Sequence, residues 1–167
     1  MRTLLFALAL VAAPAAAQNA TPDVSHLIGR PYAGLPGGWG GVGGSVLEAS
    51  PDGEMYILSR FESVRDRGHL FVYSRVDQMI DDRYPVSTIL AALAVPDVAE
   101  GEIASSYACS VGPDEPTVVV VGEQTLDEAD GVFRYGPVRL AWALDREAEQ
   151  FVPVDADRVT CIEEGIP

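Results

Sequence analysis

Two cysteines (Cys109 and Cys161), two histidines (His26 and His69) and 25 acidic residues are the side chains with which this chain could do chemistry. The cysteines do not form C-x-x-C, and C-x-x-C-H haem attachment is absent. Lysine is missing altogether, so every basic residue is an arginine. That removes a P-loop, a Schiff base, a pyridoxal-phosphate anchor and a Ser-x-x-Lys acylase. Two histidines cannot build a three-histidine zinc site, and H-E-x-x-H does not occur. Gly43-Gly44-Ser45-Val46-Leu47 approaches the nucleophile elbow G-x-S-x-G but fails at its last position, and no histidine follows Asp77 to complete a triad.

Carboxylates leave one catalytic route open, an acid/base pair of the kind that cleaves glycosidic bonds. Among so many acidic residues some close pair is expected by chance, and no motif singles one out. Asp155-Ala156-Asp157 begins like an EF-hand loop, but the sixth position is Thr160 and the twelfth Ile166, where glycine and glutamate are needed. The run Asp127 to Asp130 could offer oxygens to a weak calcium site; a solvated acidic loop is the commoner form of such a run. His69 is expected at a strand end beside Glu62, and His26 as a structural or exposed residue. The residues therefore assign no catalytic group, no metal ligand and no cofactor.

The start of the chain bears on the cysteines. Met1-Arg2-Thr3, the apolar run Leu4 to Ala13 and the small residues Ala15-Ala16-Ala17 have the order of a secretory signal peptide, with cleavage after Ala17. An apolar run that short does not span a bilayer, which takes about 20 residues. Removing 17 of 167 residues leaves 150, the size of one domain. Such a chain is expected in the periplasm or the medium, where a cysteine pair is normally oxidised. Cys109 and Cys161 are accordingly predicted to form a disulfide. The formal charge of −14 repels nucleic-acid phosphates and anionic membrane surfaces, so no nucleic-acid partner is expected.

Residues 18 to 44 read as a glycine-rich lead-in whose Trp39 docks on the domain, and 45 to 167 as a single β-rich domain. Within the lead-in, Ile28-Gly29-Arg30-Pro31-Tyr32 resembles the opening of small exported peptidase inhibitors. The likeness covers five residues, and no function is carried over on it.

Ser45 to Ser50 and Glu54 to Glu62 are predicted strands around a type I turn at Ser50-Pro51-Asp52-Gly53. His69 to Asp77 follows as the partner of the second. Alternation places Met55, Ile57 and Phe61 with Leu70, Val72 and Val76 on one face. The other face carries Tyr56, Leu58 and Arg60 with Phe71, Tyr73 and Arg75. Pairing Glu62 with His69 sets Arg60 opposite Phe71 and Tyr56 opposite Arg75, as cross-strand cation–π pairs. Tyr56, Arg60, Phe71, Tyr73 and Arg75 then form a candidate interaction face, although coverage by the second half of the chain is the preferred reading, because a 150-residue domain must bury aromatics somewhere.

Val76, Met79 and Ile80 stand at helical spacing, predicting one short helix near 76–84. Residues 86–95 suit a buried strand returning through Gly101 to Ser110, or alternatively a helix at 86–94. Thr117 to Gly122 is predicted as a central strand buried on both faces, between it and its neighbours a turn bracketed by Pro113 and Pro116. Arg139 to Leu144 and Phe151 to Val154 form a hairpin, with Pro153 marking an edge. Val159-Thr160-Cys161 brings the second cysteine back to the sheet.

The fold expected is mainly β, a single antiparallel sandwich or small barrel-like domain; the alternative is α+β with the 86–94 helix. The function expected is that of an exported, non-enzymatic domain binding an envelope or extracellular protein, an inhibitor falling within that class. The alternatives are a carboxylate-based glycan hydrolase and a structural envelope component.

Overall fold

The computed structural model describes residues 23–32, 38–49, 53–65, 67–81, 84–95, 98–106, 109–112, 117–129, 131–162 and 164–165. The predicted leader at 1–17, the turn residues Ser50, Pro51 and Asp52, and Pro113 and Pro116 lie outside them. In chain order the strands are β1 (Pro31–Tyr32), β2 (Trp39–Ala49), β3 (Met55–Ser63), β4 (His69–Ile80), β5 (Tyr84–Val95), β6 (Glu102–Ser105), β7 (Cys109–Ser110), β8 (Val118–Asp127), β9 (Val132–Asp145), β10 (Gln150–Val154), β11 (Thr160–Cys161) and β12 (Glu164–Gly165). Short 3₁₀ turns occupy Ser25–Leu27 and Ala156–Arg158.

The architecture is the predicted sandwich rather than a barrel. One antiparallel sheet has the order β1-β5-β4-β3-β2, the other β10-β9-β8-β6 with β12 added beside β9. A third, two-stranded sheet pairs β11 with β7. The main core lies between the two large sheets. Leu58, Phe71, Tyr73, Leu93 and Val95 from the first meet Val119, Val121, Trp142 and Leu144 from the second.

Each sheet is also covered on its outer face, which explains why so many strand positions are apolar in succession. Outside the first sheet, Leu27 packs on Phe61, Leu70, Val72 and Ile89, with Trp39 against the same cluster. Outside the second, Cys109 packs on Val118, Val120 and Ala141, with Val159 and Cys161 alongside. Val118 to Val121 are thus shielded from both sides and no more than 1% exposed, as expected for a central strand. Covering both faces of one strand requires a third layer, and the small sheet of β7 and β11 supplies it.

The β3–β4 hairpin has the predicted register, with Glu62 opposite His69, Arg60 opposite Phe71 and Tyr56 opposite Arg75. The β9–β10 hairpin is likewise as read, and β10 with Pro153 is an edge strand. Residues 86–95 are strand, as preferred over the helix.

Three expectations are corrected. The described residues near 76–84 form strand and turn instead of the expected helix: β4 runs on to Ile80 and β5 begins at Tyr84. The pairing passes from Val76–Ser87 to Gln78–Val86, which leaves Asp77 as an extra, bulged residue. The bulge returns Met79 to the face of Val76, three positions on, and that spacing imitates a helical stripe. Strand β5 does not pair with the following segment; it joins β4 and β1, whereas β6 pairs with β8 in the other sheet. Nor does the sheet begin at Ser45. From Trp39 onward the glycine-rich tract is strand β2, bonded along β3 with register shifts at Gly41/Gly43 and Val46/Glu48.

In β8, glycine is sterically required at position 122. A Cβ on Gly122 would meet the Pro137 carbonyl oxygen at 2.8 Å and Val138 Cα at 3.1 Å, both backbone atoms that cannot rotate away. Gly122→Ala is expected to destabilise the domain by about 1–3 kcal/mol, the usual range for overpacking. Gly112→Ala, with nothing within 4 Å of the added carbon, serves as the control. Chemical unfolding of the two variants checks the contrast, and equal midpoints would refute it.

Candidate functional site

The two cysteines meet as predicted. Cys109 and Cys161 face each other across the β7–β11 pair and are joined by a disulfide closing a sequence separation of 52. The bond fastens the outer layer over Val118 and Val120. Its role is structural, and neither sulfur is available as a nucleophile.

The aromatic and arginine face of the β3–β4 hairpin is largely shut off from solvent, with Arg75 at its exposed margin. The second sheet covers it, leaving Phe71 wholly buried and Tyr73 3% exposed. Tyr56 stacks on Tyr73 with ring centroids 5.7 Å apart, and its hydroxyl donates to Glu54 Oε2 at 2.8 Å. Arg60 donates from Nη1 to the Ala104 carbonyl at 2.6 Å and so ties the two sheets together. Arg75 turns to Asp77, with Nε 3.4 Å from Oδ1. Coverage by the second half of the chain, the outcome preferred from the sequence, is what the structure has: Phe71 and Tyr73 lie in the inter-sheet core with Tyr56 packed against it, and the two arginines bond to oxygens.

The acidic loops are arranged for structure. Asp127 accepts from the Ala129 amide at 3.0 Å and lies 3.3 Å from Arg134 Nε. The amide bond, and then the arginine, lower its carboxyl pKa. Asp155 caps the 3₁₀ turn by accepting from the Asp157 amide. Among the described residues no group of three His, Cys, Asp or Glu side chains is placed to hold a metal ion.

A concave site does exist at one end of the sandwich. It is a cleft of about 360 Å³ between the β3–β4 corner and the segment leading into β6. Glu62, Arg67 and His69 line one side, Val98, Glu100 and Glu102 the other. Sequence reasoning supplied the Glu62–His69 adjacency through strand register. It missed the cleft, because the return of residues 98–102 over that pair depends on a crossover between sheets.

The groups in the cleft are held differently. Glu102 accepts two bonds from Arg139, at 2.6 and 2.7 Å, and one from the Ala99 amide at 3.0 Å. The arginine bonds outweigh burial and lower its pKa, so it stays ionised. His69 is 8% exposed, with Nδ1 4.0 Å from Glu62 Oε1, too far for a hydrogen bond. Nδ1 has no hydrogen-bond partner among the described residues. Burial, aided by the charge of Arg60 and opposed by that of Glu62, lowers the His69 pKa below the ordinary 6.5. The imidazole is accordingly neutral at pH 7.

A lowered imidazole pKa has a definite sign in stability. As pH falls through 6.5 the unfolded chain takes up this proton before the folded one does. The contribution is present in full above that pH and is lost toward the lower folded pKa. The native protein should therefore lose more stability between pH 7 and 5 (roughly this window) than His69→Gln, which has no such proton. Urea unfolding across the range checks it; parallel pH curves would refute it.

The remaining strand edge is β2. Its exposed residues run from Gly41 to Gly44 and include Val46 at 59%. It carries no charge from Trp39 to Leu47, and no strand lies on its outer side among the described residues. The other end strands are defended. Strand β1 has two residues including Pro31, β6 has four, and β10 has five including Pro153. Shortness and proline are common protections of a sheet edge, and β2 lacks both.

No helix among the described residues is long and apolar enough to cross a membrane. Comparison with family models, with curated proteins and with solved structures finds no match.

Proposed function

We propose that this protein is an exported, non-catalytic β-sandwich that captures an extended segment of another protein along the β2 edge. The observation carrying the proposal is that β2 is eleven residues long, uncharged from Trp39 to Leu47 and exposed at Gly41 to Gly44 and Val46, where the other edges are short or broken by proline. An added strand would bond to the outward backbone groups of that edge, which no strand among the described residues pairs, and this supplies affinity without a catalytic group. The chain's formal charge of −14, with Glu62 exposed on the neighbouring strand β3 and Glu54 exposed just before it, favours a segment bearing arginine or lysine. The same charge disfavours a second copy of this chain. Export rests on the leader-like start and is consistent with the disulfide. An inhibitor of a secreted hydrolase would belong to this class.

The glycan-hydrolase reading has less behind it. Retaining and inverting enzymes both need one carboxyl group with a raised pKa. The carboxyl shifts that stand out, at Asp23, Glu102 and Asp127, are all downward.

The test is selection from a displayed library of random peptides on the oxidised domain, followed by hydrogen exchange. Selected peptides should alternate apolar residues, carry a basic residue and slow amide exchange in Trp39 to Leu47. Placing charge on the edge with the double substitution Val42→Lys, Val46→Lys should weaken them about tenfold or more, roughly 1.4 kcal/mol. Both positions are exposed, at 42% and 59%, so the fold should tolerate the change. Absence of enriched peptides, equal binding to the variant, or protection elsewhere would overturn the reading.

A further inference from the structure

The two ends of the β2 edge differ in charge. At the Ala49 end the charge is largely of one sign. Glu48 lies on β2 itself, opposite Tyr56, and Glu54 is exposed just before β3. Glu54 Oε2 accepts from the Tyr56 hydroxyl at 2.8 Å. That bond, then desolvation and the charge of Glu54, hold the hydroxyl above the ordinary tyrosine pKa. Glu149, exposed in the β9–β10 turn of the facing sheet, acts in the same direction. Arg75, the cation that opposes them there, is itself 3.4 Å from Asp77 Oδ1. No basic residue occurs between Arg30 and Arg60. The Trp39 end is mixed. There the Val64 amide donates to the Gly38 carbonyl at 2.9 Å and seats the β3–β4 loop beside the start of β2. That loop carries exposed Arg65 and Arg67, which offset the exposed Glu62 on β3.

We propose, resting on the strand-capture reading of β2, that the captured segment runs antiparallel to β2 with its arginine or lysine residues at its amino-terminal end, beside Ala49. Every strand pair in this sheet is antiparallel, and such pairing is slightly more stable per residue than parallel pairing. A strand antiparallel to β2 begins where β2 ends, so its first residues meet the acidic end. Neighbouring strands lie about 4.8 Å apart. A long basic side chain at the start of the segment therefore reaches past β2 toward Glu54. Exposed ion pairs of this kind are individually weak. They select direction and register more than they add affinity, which comes from backbone bonds along Trp39 to Leu47. The reverse orientation would bring the basic residues to Arg65 and Arg67 and leave the acidic end unmatched.

Two capped peptides of one composition test the direction. Each has two arginines and a run of alternating valine and threonine; one begins with the arginines and the other ends with them. Affinity for the oxidised protein is read by fluorescence anisotropy, and the site by hydrogen exchange. The peptide that begins with arginine should bind about fivefold or more tightly, as two exposed ion pairs give together. The preference should shrink at about 1 M salt, where charges are screened beyond about 3 Å. In the double substitution Glu54→Gln, Glu149→Gln, at exposed positions, the two peptides should bind within about twofold of each other while both still slow exchange in Trp39 to Leu47. Equal binding of the two by the native protein, tighter binding of the peptide that ends with arginine, or a preference unchanged in the Gln variant would overturn the direction and leave capture standing. If neither peptide slows exchange along β2, the strand-capture reading falls and the direction with it.

Discussion

Replacing both Cys109 and Cys161 by serine is expected to lower stability by about 4 kcal/mol, the chain-entropy value for a loop of this length. The separation closed is 52 residues. The structure suggests that little else would hold the outer layer in place. Strands β7 and β11 pair over two residues each, and 3₁₀ residues Ala156–Arg158 form the approach to β11. Without the sulfur link, Val118, Val120 and Ala141 would lose part of their cover. Urea denaturation should show the midpoint falling by about 2 M for a domain of this size. A shift within error of zero would mean that the outer layer is held by packing alone. Reduction of the native protein should reproduce the serine variant.

The second large effect is expected at Phe71. The ring is wholly buried in the core shared by the two sheets. Phe71→Ala should lose about 3–5 kcal/mol through lost transfer energy and the cavity left behind. Were that face open to a partner, the loss would be that of a surface change, within about 0.5 kcal/mol. Val64→Ala, at a position 72% exposed, supplies the surface reference in the same denaturation experiment. A Phe71 variant as stable as the Val64 variant would contradict the sandwich as described.

The contrast at Phe71 also shows where sequence reading stops. Alternation along β3 and β4 set the register of the hairpin correctly down to Glu62 opposite His69. It could not tell which face is inside, because both faces are apolar enough to be covered. Met55, Ile57 and Phe61 lie on the outer face, and the aromatic face with its two arginines is the one the second sheet buries. Arginine at a core boundary misleads a pattern argument, since Arg60 reaches a backbone carbonyl of the facing sheet instead of water. At Val76 and Met79 the period itself was altered by one bulged residue, Asp77. By contrast, Val118 to Val121 had no alternation to misread, and their burial on both sides followed directly.

The cleft was illegible for a different reason. Its two walls are local in sequence, Glu62 to His69 and Val98 to Glu102, but nothing local says that they face each other. That depends on β5 ending in one sheet while β6 begins in the other. Likewise, the β2 edge was hidden by glycine. Trp39 to Gly44 has few side chains to reveal a strand period, and only its pairing with β3 identifies it.

The disulfide has a consequence beyond the energy of folding. The residues between Cys109 and Cys161 include the whole of β8, β9 and β10, with their connecting turns. A protease that cuts the exposed turn at Glu147 to Glu149, or the one at Glu128 and Ala129, would therefore release no fragment. The cut ends remain covalently joined and still paired across the sheet, so a single nick leaves the molecule whole. In surroundings rich in hydrolases, such a domain would keep its shape after damage that would dismantle an uncrosslinked one, and the cut would become visible only once the bond is reduced.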